Sequence, residues 1–302
     1  MKRRTFIQQT AATGALIGLG GLSLSFSEKT KKHITILHTN DVHSHIEPFG
    51  PNDARNPNMG GVARRATLIE QVRAENPNTL LLDAGDIFQG TPYFNFYGGE
   101  LEFKLMSKLK YDAATIGNHD FDNGLDGLLS QMPHANFDFI SSNYDFKNTI
   151  LEGQTSLYKI FIKNGIKIGV FGLGVELEGL VSDNLYKETK YLDPIEIATE
   201  MTKILKQDKK CDLVICLSHL GYEYKNESKI SDIRLAKQTK DIDLIIGGHT
   251  HTFLDKPTIL KNLEGKKVLV NQVGCYGLYL GRIDFYLDNN NNLQGSGVSI
   301  SV

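Results

Sequence analysis

From about Lys32 onward the chain alternates between two hydrophobic periodicities. Short runs that are apolar at nearly every position recur at Ile34–His38, Thr79–Asp83, Ala113–Ile116, Phe137–Ser141, Leu213–Leu217 and Leu244–Ile246. Continuous apolar character of this kind marks strands buried on both faces. Between several of these runs the period lengthens to that of a helix. Residues 62–76 place Val62, Ala66, Ile69 and Val72 on one face and are ended by Pro77. Residues 101–109, 195–205 and 230–238 read the same way. Strands alternating with helices predict an α/β layered fold. Two stretches depart from this rhythm. Residues 157–162 and 167–173 flank Asn164-Gly165, a two-residue hairpin signal. Residues 277–287 and 298–302 flank an Asn-rich run, 289–292, which reads as a second hairpin with a solvated turn. The sheets are therefore expected to be mixed.

Five of the segments that follow apolar runs carry metal-ligand chemistry: Asp41 with His43, Asp86, Asn118 with His119, His219, and His249 with His251. In layered α/β folds ligands gather at the carboxyl ends of strands, so these five exits are candidates for one shared site. An extended chain at residues 41–43 would project Asp41 and His43 to the same side. The donors are Asp, Asn and His without thiolate, a set suited to Zn, Mn, Fe, Co or Ni and unlike a structural Cys-zinc site. Two divalent cations bring about +4, of which the two aspartates, Asp41 and Asp86, return about −2. The surplus favours a bridging hydroxide and an anionic ester. Two metals roughly 3.5–4 Å apart clamp the attacking and leaving oxygens of an in-line displacement and lower the pKa of bound water toward ~7. His119 is placed to stabilise or protonate the transferring oxygens, oriented by either Asp120 or Asp122. Arg64 and Arg65 are candidates to reach a phosphate or to form a solvated helix face. His33, His38 and His134 are read as structural, and His45 as either a support for the site or a surface residue. The loop 50–60, rich in Pro and Asn, lies close to the first motif and is either a gate or a tolerated surface loop.

Charge and composition narrow the function classes. The 302 residues carry 33 Lys+Arg against 35 Asp+Glu, a net charge of −2. That balance lacks the basic excess of a nucleic-acid scaffold, so attraction of an anionic substrate must be local. Cys211, Cys216 and Cys275 cannot all pair and form no C-x-x-C, and they are read as three buried thiols. The N-terminus has Lys2, Arg3 and Arg4 followed by a mildly apolar stretch from Ala11 to Phe26, too short and glycine-rich for a membrane span. Arg3 and Arg4 before Phe6 and Ile7 give residues 1–27 the form of a twin-arginine export signal, with an ordinary secretory signal as the alternative. Cleavage is placed before Glu28, and the absence of a cysteine there gives no support for a lipid anchor. The product would be an exported, periplasmic or extracellular bacterial protein whose catalytic domain spans 28–302.

At these residues the sequence resembles the calcineurin-like metallophosphatases, and within them the catalytic domain of the 5'-nucleotidase family. The matching segments are residues 34–45, 60–65, 83–90, 117–122 and 247–251. The resemblance implies a four-layer α/β/β/α sandwich. It implies one metal on Asp41, His43, Asp86 and His251, and a second on Asp86, Asn118, His219 and His249, with Asp86 bridging. It selects Asp122 as the partner of His119 and adds Asn118 as a substrate contact. Members of the family usually continue into a C-terminal domain that stacks the base and binds phosphate, and this sequence stops at Val302, so a separately encoded partner supplying that domain is expected. The expected activity is hydrolysis of nucleotides or similar small phosphate esters by a metal-bridging hydroxide, with Zn or Mn favoured. Phosphodiester, cyclic-nucleotide or thiosulfate-ester hydrolysis on the same centre is one alternative, and a non-catalytic metal-containing subunit is another.

Overall fold

The computed structural model of the protein describes residues 32–226, 229–288 and 292–302. The expected export signal lies outside the described residues. Along the described chain run fourteen strands. They are β1 (Lys32–Thr39), β2 (Thr79–Asp83), β3 (Ala113–Ala114), β4 (Asp138–Phe139), β5 (Tyr144–Asp145), β6 (Tyr158–Lys163), β7 (Ile166–Leu173), β8 (Lys190–Tyr191), β9 (Leu213–Ser218), β10 (Leu244–Gly247), β11 (Thr258–Lys261), β12 (Lys267–Asn271), β13 (Tyr279–Leu287) and β14 (Leu293–Ser301). Two six-stranded sheets result, ordered β14-β13-β1-β2-β3-β4 and β11-β12-β10-β9-β7-β6. Each has a parallel run of strands, flanked by antiparallel strands on one side in the first sheet and on both sides in the second. In the first, β1, β2, β3 and β4 are parallel and β13 and β14 add antiparallel. In the second, β7, β9, β10 and β12 are parallel, with β6 and β11 antiparallel at the two edges.

Three apolar layers separate four layers of structure. Between the sheets lie Ile34, Ile36, Leu80 and Leu82 from one and Ile168, Val170, Ile215 and Ile246 from the other, all without solvent exposure. The outer face of the first sheet, with Leu37 and Leu81, packs on Ile69 and Val72 of the helix Val62–Glu75 and on Phe103 and Met106 of the helix Glu100–Leu109. The outer face of the second, with Val214, Cys216 and Ile245, packs on Ala198 and Met201 of the helix Pro194–Lys203 and on Leu235 of the helix Asp232–Gln238. The fold is an α/β/β/α sandwich with two mixed sheets. The all-apolar strands sit in its centre because both of their faces are covered.

The Asn164-Gly165 hairpin joins β6 to β7, with both turn residues left-handed at φ 49 and 67. The last hairpin pairs β13 with a strand that starts at Leu293, five residues before the predicted 298, because the Gly-rich stretch 293–297 still pairs in full register with β13. Its turn, residues 289–291, lies outside the described residues. Cys211 and Cys216 are buried, whereas Cys275 is only half-buried, since it sits in the loop after β12 rather than in a sheet. The loop 50–60 is tied down at both ends, by Phe49 N to Met59 O at 2.8 Å and by Gly60 N to Val302 O at 2.9 Å. Among the described residues no helix is long and apolar enough to cross a membrane.

Candidate metal centre

The carboxyl ends of β1, β2, β9 and β10, together with the segment after β3, converge on one point. Asp41 and His43 follow β1, Asp86 follows β2, Asn118 and His119 follow β3, His219 follows β9, and His249 and His251 follow β10. The loops are bonded to one another rather than merely adjacent. Asp41 N donates to Gly85 O (2.9 Å), His43 N to Asp86 O (3.1 Å), and His249 N to Asp41 Oδ1 (2.9 Å). The chain at residues 41–43 is a turn, not the extended segment predicted, with Asp41 and His43 both at φ 50. Their ligand atoms still reach one group because the left-handed turn folds both side chains inward.

Two clusters of donor atoms result. Asp41, His43 and His251 form one, and Asp86, His219 and His249 form the other; within each the ligand atoms lie within 4.8 Å of one another. Asp86 stands between them, with Oδ2 at 3.0 Å from His219 Nε2 and 3.7 Å from His43 Nε2. Asn118 Oδ1 lies 2.8 Å from His249 Nδ1. All of Asp41, His43, Asp86, Asn118 and His219 are buried.

The chemistry of these donors fits divalent cations. A backbone carbonyl only accepts, so His43 Nδ1, 3.1 Å from Phe88 O, and His219 Nδ1, 2.7 Å from Ala84 O, must carry the hydrogens. When these rings are neutral, each Nε2 presents a lone pair, the arrangement that carbonyl partners impose on metal-binding histidines. His219 Nε2 is fully buried and has no hydrogen-bond partner despite its proximity to Asp86. His43 Nε2 and His251 Nε2 face each other at 3.0 Å, with Asp41 Oδ1 3.4 Å from the latter. Convergent lone pairs and carboxylates at such spacing need a shared positive charge. The electrostatics agree: burial opposes charge on His219, yet Asp86 and Asp41 outweigh it and lift the ring to about 10. His251 is likewise raised to about 10, first by its contact with Asp41.

His119 stands beside this centre without belonging to either cluster. Its ring packs edge-on to His43 at 5.2 Å, and its Nδ1 lies 2.9 Å from Asp122 Oδ2. Asp120, the other partner the spacing allowed, has a different task. Its Oδ1 accepts from Ile87 N (2.9 Å) and Phe88 N (3.1 Å), and its Oδ2 from Asp86 N (3.1 Å) and Gly117 N (2.8 Å). This carboxylate clamps the loop of Asp86 to the loop of Asn118. Sequence reasoning weighed Asp120 only as a histidine partner; the signal for its role was its place within the Gly117–Asp122 run. At Gly117 a Cβ would collide with Asp86, so the two loops approach as closely as backbone permits.

Of the two arginines, Arg64 lies on the exposed helix face that was one of its two readings, and Arg65 departs from both. Arg65 is 3% exposed and turned into the interior, because it occupies the same helix face as Ile69 and Val72. It is neither a phosphate contact nor part of a solvated face. Arg64 is exposed and donates to Asn58 O within the 50–60 loop. His33 binds Asp284 and stacks on Tyr286, away from the centre, and His38 is buried between strands. His45 belongs to a ring cluster with Phe49 and Tyr276, whose ring lies 6.0 Å from His43 and 5.9 Å from His251.

Residues 34–253 match the calcineurin-like phosphoesterase family model, and the chain belongs to that family. Within it the similarity runs to 5'-nucleotidases. A snake venom 5'-nucleotidase of Crotalus adamanteus is 36% identical over 286 residues, covering 87% of this chain and 47% of the relative. The 5'-nucleotidase precursor of Thermus thermophilus superposes with a TM-score of 0.81 at 35% identity, covering 89% of this chain and 54% of that one. The calcineurin-like phosphoesterase YfkN of Bacillus subtilis gives 0.72 at 28% identity, with 90% and 91% covered. The chain thus spans about half the length of the venom enzyme.

Proposed function

We propose that the protein is a phosphomonoesterase acting on nucleotides and that Asp41, His43, Asp86, Asn118, His219, His249 and His251 hold two divalent metal ions. The observation that carries this reading is the placement of Asp86 between two donor clusters, with the His119–Asp122 pair beside them. Oxygen and imidazole donors without thiolate favour Zn or Mn. Such a pair of cations supplies Lewis acidity toward phosphoryl oxygens and makes hydroxide available at neutral pH.

The chain's own residues do the rest. Asp122 accepts from His119 Nδ1, fixes the ring, and through that hydrogen bond raises the imidazole above its ordinary value, against the opposing effect of burial. His119 Nε2 is the atom assigned to hold the proton that the leaving oxygen takes up. As water oxygen bonds to phosphorus and the P–O bond to the alcohol breaks, that proton goes to the leaving oxygen. Asn118 is assigned to both metal and substrate. Residues 28–302 form the catalytic unit, and residues 1–27, with their paired arginines, direct export of the folded, metal-loaded protein.

A substrate panel on metal-loaded protein tests this. Turnover of AMP well above that of bis(p-nitrophenyl) phosphate and of a cyclic nucleotide is expected. Preference for either diester would replace the monoesterase reading. Stoichiometric metal without turnover of any ester would instead support a non-catalytic subunit.

A further inference from the structure

Behind the loop of Asp41 and His43 lies a small cavity, walled mostly by apolar side chains such as Ile46, Val62, Ile87 and Met106, that the catalytic reading does not use. The helices Val62–Glu75 and Glu100–Leu109 each turn one ionisable side chain inward, Arg65 and Glu102, each 3% exposed. Arg65 Nε and Arg65 Nη1 are buried without a hydrogen-bond partner, and the buried Glu102 carboxyl, raised by its burial, has only the Ser44 hydroxyl at hand. Both residues line one cavity of about 20 Å³, together with Val42, Asp83 and Tyr111. A buried charge left without hydrogen bonds is among the most destabilising features a fold can contain.

We propose that this cavity is a binding site for ordered water, which bridges the Arg65 guanidinium to the Glu102 carboxylate. The chemistry of the walls selects the ligand. The guanidinium repels a cation, and Glu102 repels an anion. Water alone accepts from the arginine and donates to the carboxylate. Its size fits as well, since one water needs roughly 10–15 Å³ of space open to a water-sized sphere. Asp83, on the same cavity, accepts from Thr39 Oγ1 at 2.5 Å and Gly85 N at 2.9 Å and makes no ion pair with the arginine.

The site backs the metal-binding loops. Val42, between Asp41 and His43, forms part of its wall. The Ser44 hydroxyl lies beside Glu102. Gly277, left-handed at φ 63, packs against Arg65 Nη1 so closely that any Cβ there would collide. The neighbouring Tyr276 N donates to Asp41 O at 2.7 Å. The water-bridged pair thus joins two helices to the loops at residues 41–44 and 274–277. It is a positioning device rather than a substrate contact.

A crystal structure of the metal-loaded protein at a resolution that places solvent tests the proposal. A water is expected within about 2.7–3.2 Å of an Arg65 nitrogen and of a Glu102 oxygen. Direct contact between the two side chains, or a cavity without density, overturns it. Thermal unfolding of Arg65→Leu, Glu102→Leu and the double variant is the second test. Each single change is expected to lower Tm by roughly 6–20 °C, and the double change to recover more than half of the summed loss. Additive losses overturn mutual compensation. A single variant that fails to fold while the double variant folds supports it. If none of the three folds, the wild-type structure decides alone.

Discussion

Asp120→Asn should destabilise the protein severely although the side chain touches neither substrate nor either donor cluster's ligand atoms. Each oxygen of Asp120 accepts two backbone N–H groups, from Ile87 and Phe88 on one side and from Asp86 and Gly117 on the other. An asparagine keeps one of these oxygens. Whichever way its amide is turned, the NH2 faces two N–H donors, so two hydrogen bonds are lost and two buried donors are orphaned. Hydrogen bonds to a charged acceptor are worth about 1.5–3 kcal/mol each, so the expected loss is about 3–6 kcal/mol. That is a large share of the ~5–15 kcal/mol that holds a domain together. Denaturant unfolding of metal-free protein isolates the effect, because the four bonds need no cation. The midpoint should fall with the slope unchanged. Asp122→Asn is the control: its carboxylate is 29% exposed and holds a single imidazole, so its loss should cost ~1 kcal/mol or less. An Asp120→Asn loss below about 1 kcal/mol, or one equal to that of the control, would refute the clamp.

Three further outcomes follow from the geometry. His119→Ala should lower kcat by about 10²–10⁴ while metal content, read by elemental analysis, stays at the wild-type level; lost metal would move His119 into the ligand set. Asp86→Asn should bring turnover near background and lower metal content at both clusters, since one shared carboxylate oxygen faces His43 and His219; retained wild-type turnover would remove Asp86 from the centre. Burial holds His38 down to about 3. Between pH 6.5 and 3 the unfolded chain binds a proton that the folded chain refuses, so stability falls as pH falls. From pH 7 to pH 5 this amounts to ~2 kcal/mol, to be read as the difference in unfolding free energy between wild type and His38→Gln. Equal pH slopes for the two proteins would show that His38 is not buried neutral.

What was legible in the sequence was whatever depends on local spacing. The strand Leu213–Leu217 announced itself because burial on both faces leaves no polar position to interrupt the run, and Ile34–His38 did so despite the buried Thr35 and His38. The helix Val62–Glu75 was readable from its 3.6 period and its stop at Pro77. The helix Pro92–Tyr97 was not, because six residues complete fewer than two turns and an aromatic run has no period. The β11–β12 pair was missed for a related reason: β11 is short and lies at a half-exposed edge. At the site, residue types carried the information. Asp, Asn and His at strand exits named the donor set, and the signal for Arg65 was its place four residues before Ile69 and seven before Val72, on the apolar face, where Arg64 is not. That difference is a helical angle of about 100°, but a charged residue on an apolar stripe reads as solvated until the structure shows what covers it.

The conformation of the ligand loops was illegible for a deeper reason, which also bears on how the centre is built. Asp41, His43, Asp86, His249 and His251 all have positive φ, between 50 and 71, whereas Asn118 is right-handed at φ −69. For residues other than glycine such backbone costs about 1 kcal/mol each, so five of them represent about 5 kcal/mol. No local sequence preference supplies that energy. It comes from bonds between loops: Asp41 N to Gly85 O, His43 N to Asp86 O, His249 N to Asp41 Oδ1 and Tyr276 N to Asp41 O. Every one of these crosses from one segment around the centre to another, and the segments belong to both sheets. The turns after β1 and β2 brace each other within one sheet, and the bond from His249 N to Asp41 Oδ1 joins them to the second, so the two donor clusters come together only when the sheets stack. Two of the donors share in this work, since Asp41 Oδ1 accepts from His249 N and Asp86 Oδ1 from His119 N, so loss of either carboxylate should cost stability as well as metal, whereas Asp120 serves the loops alone.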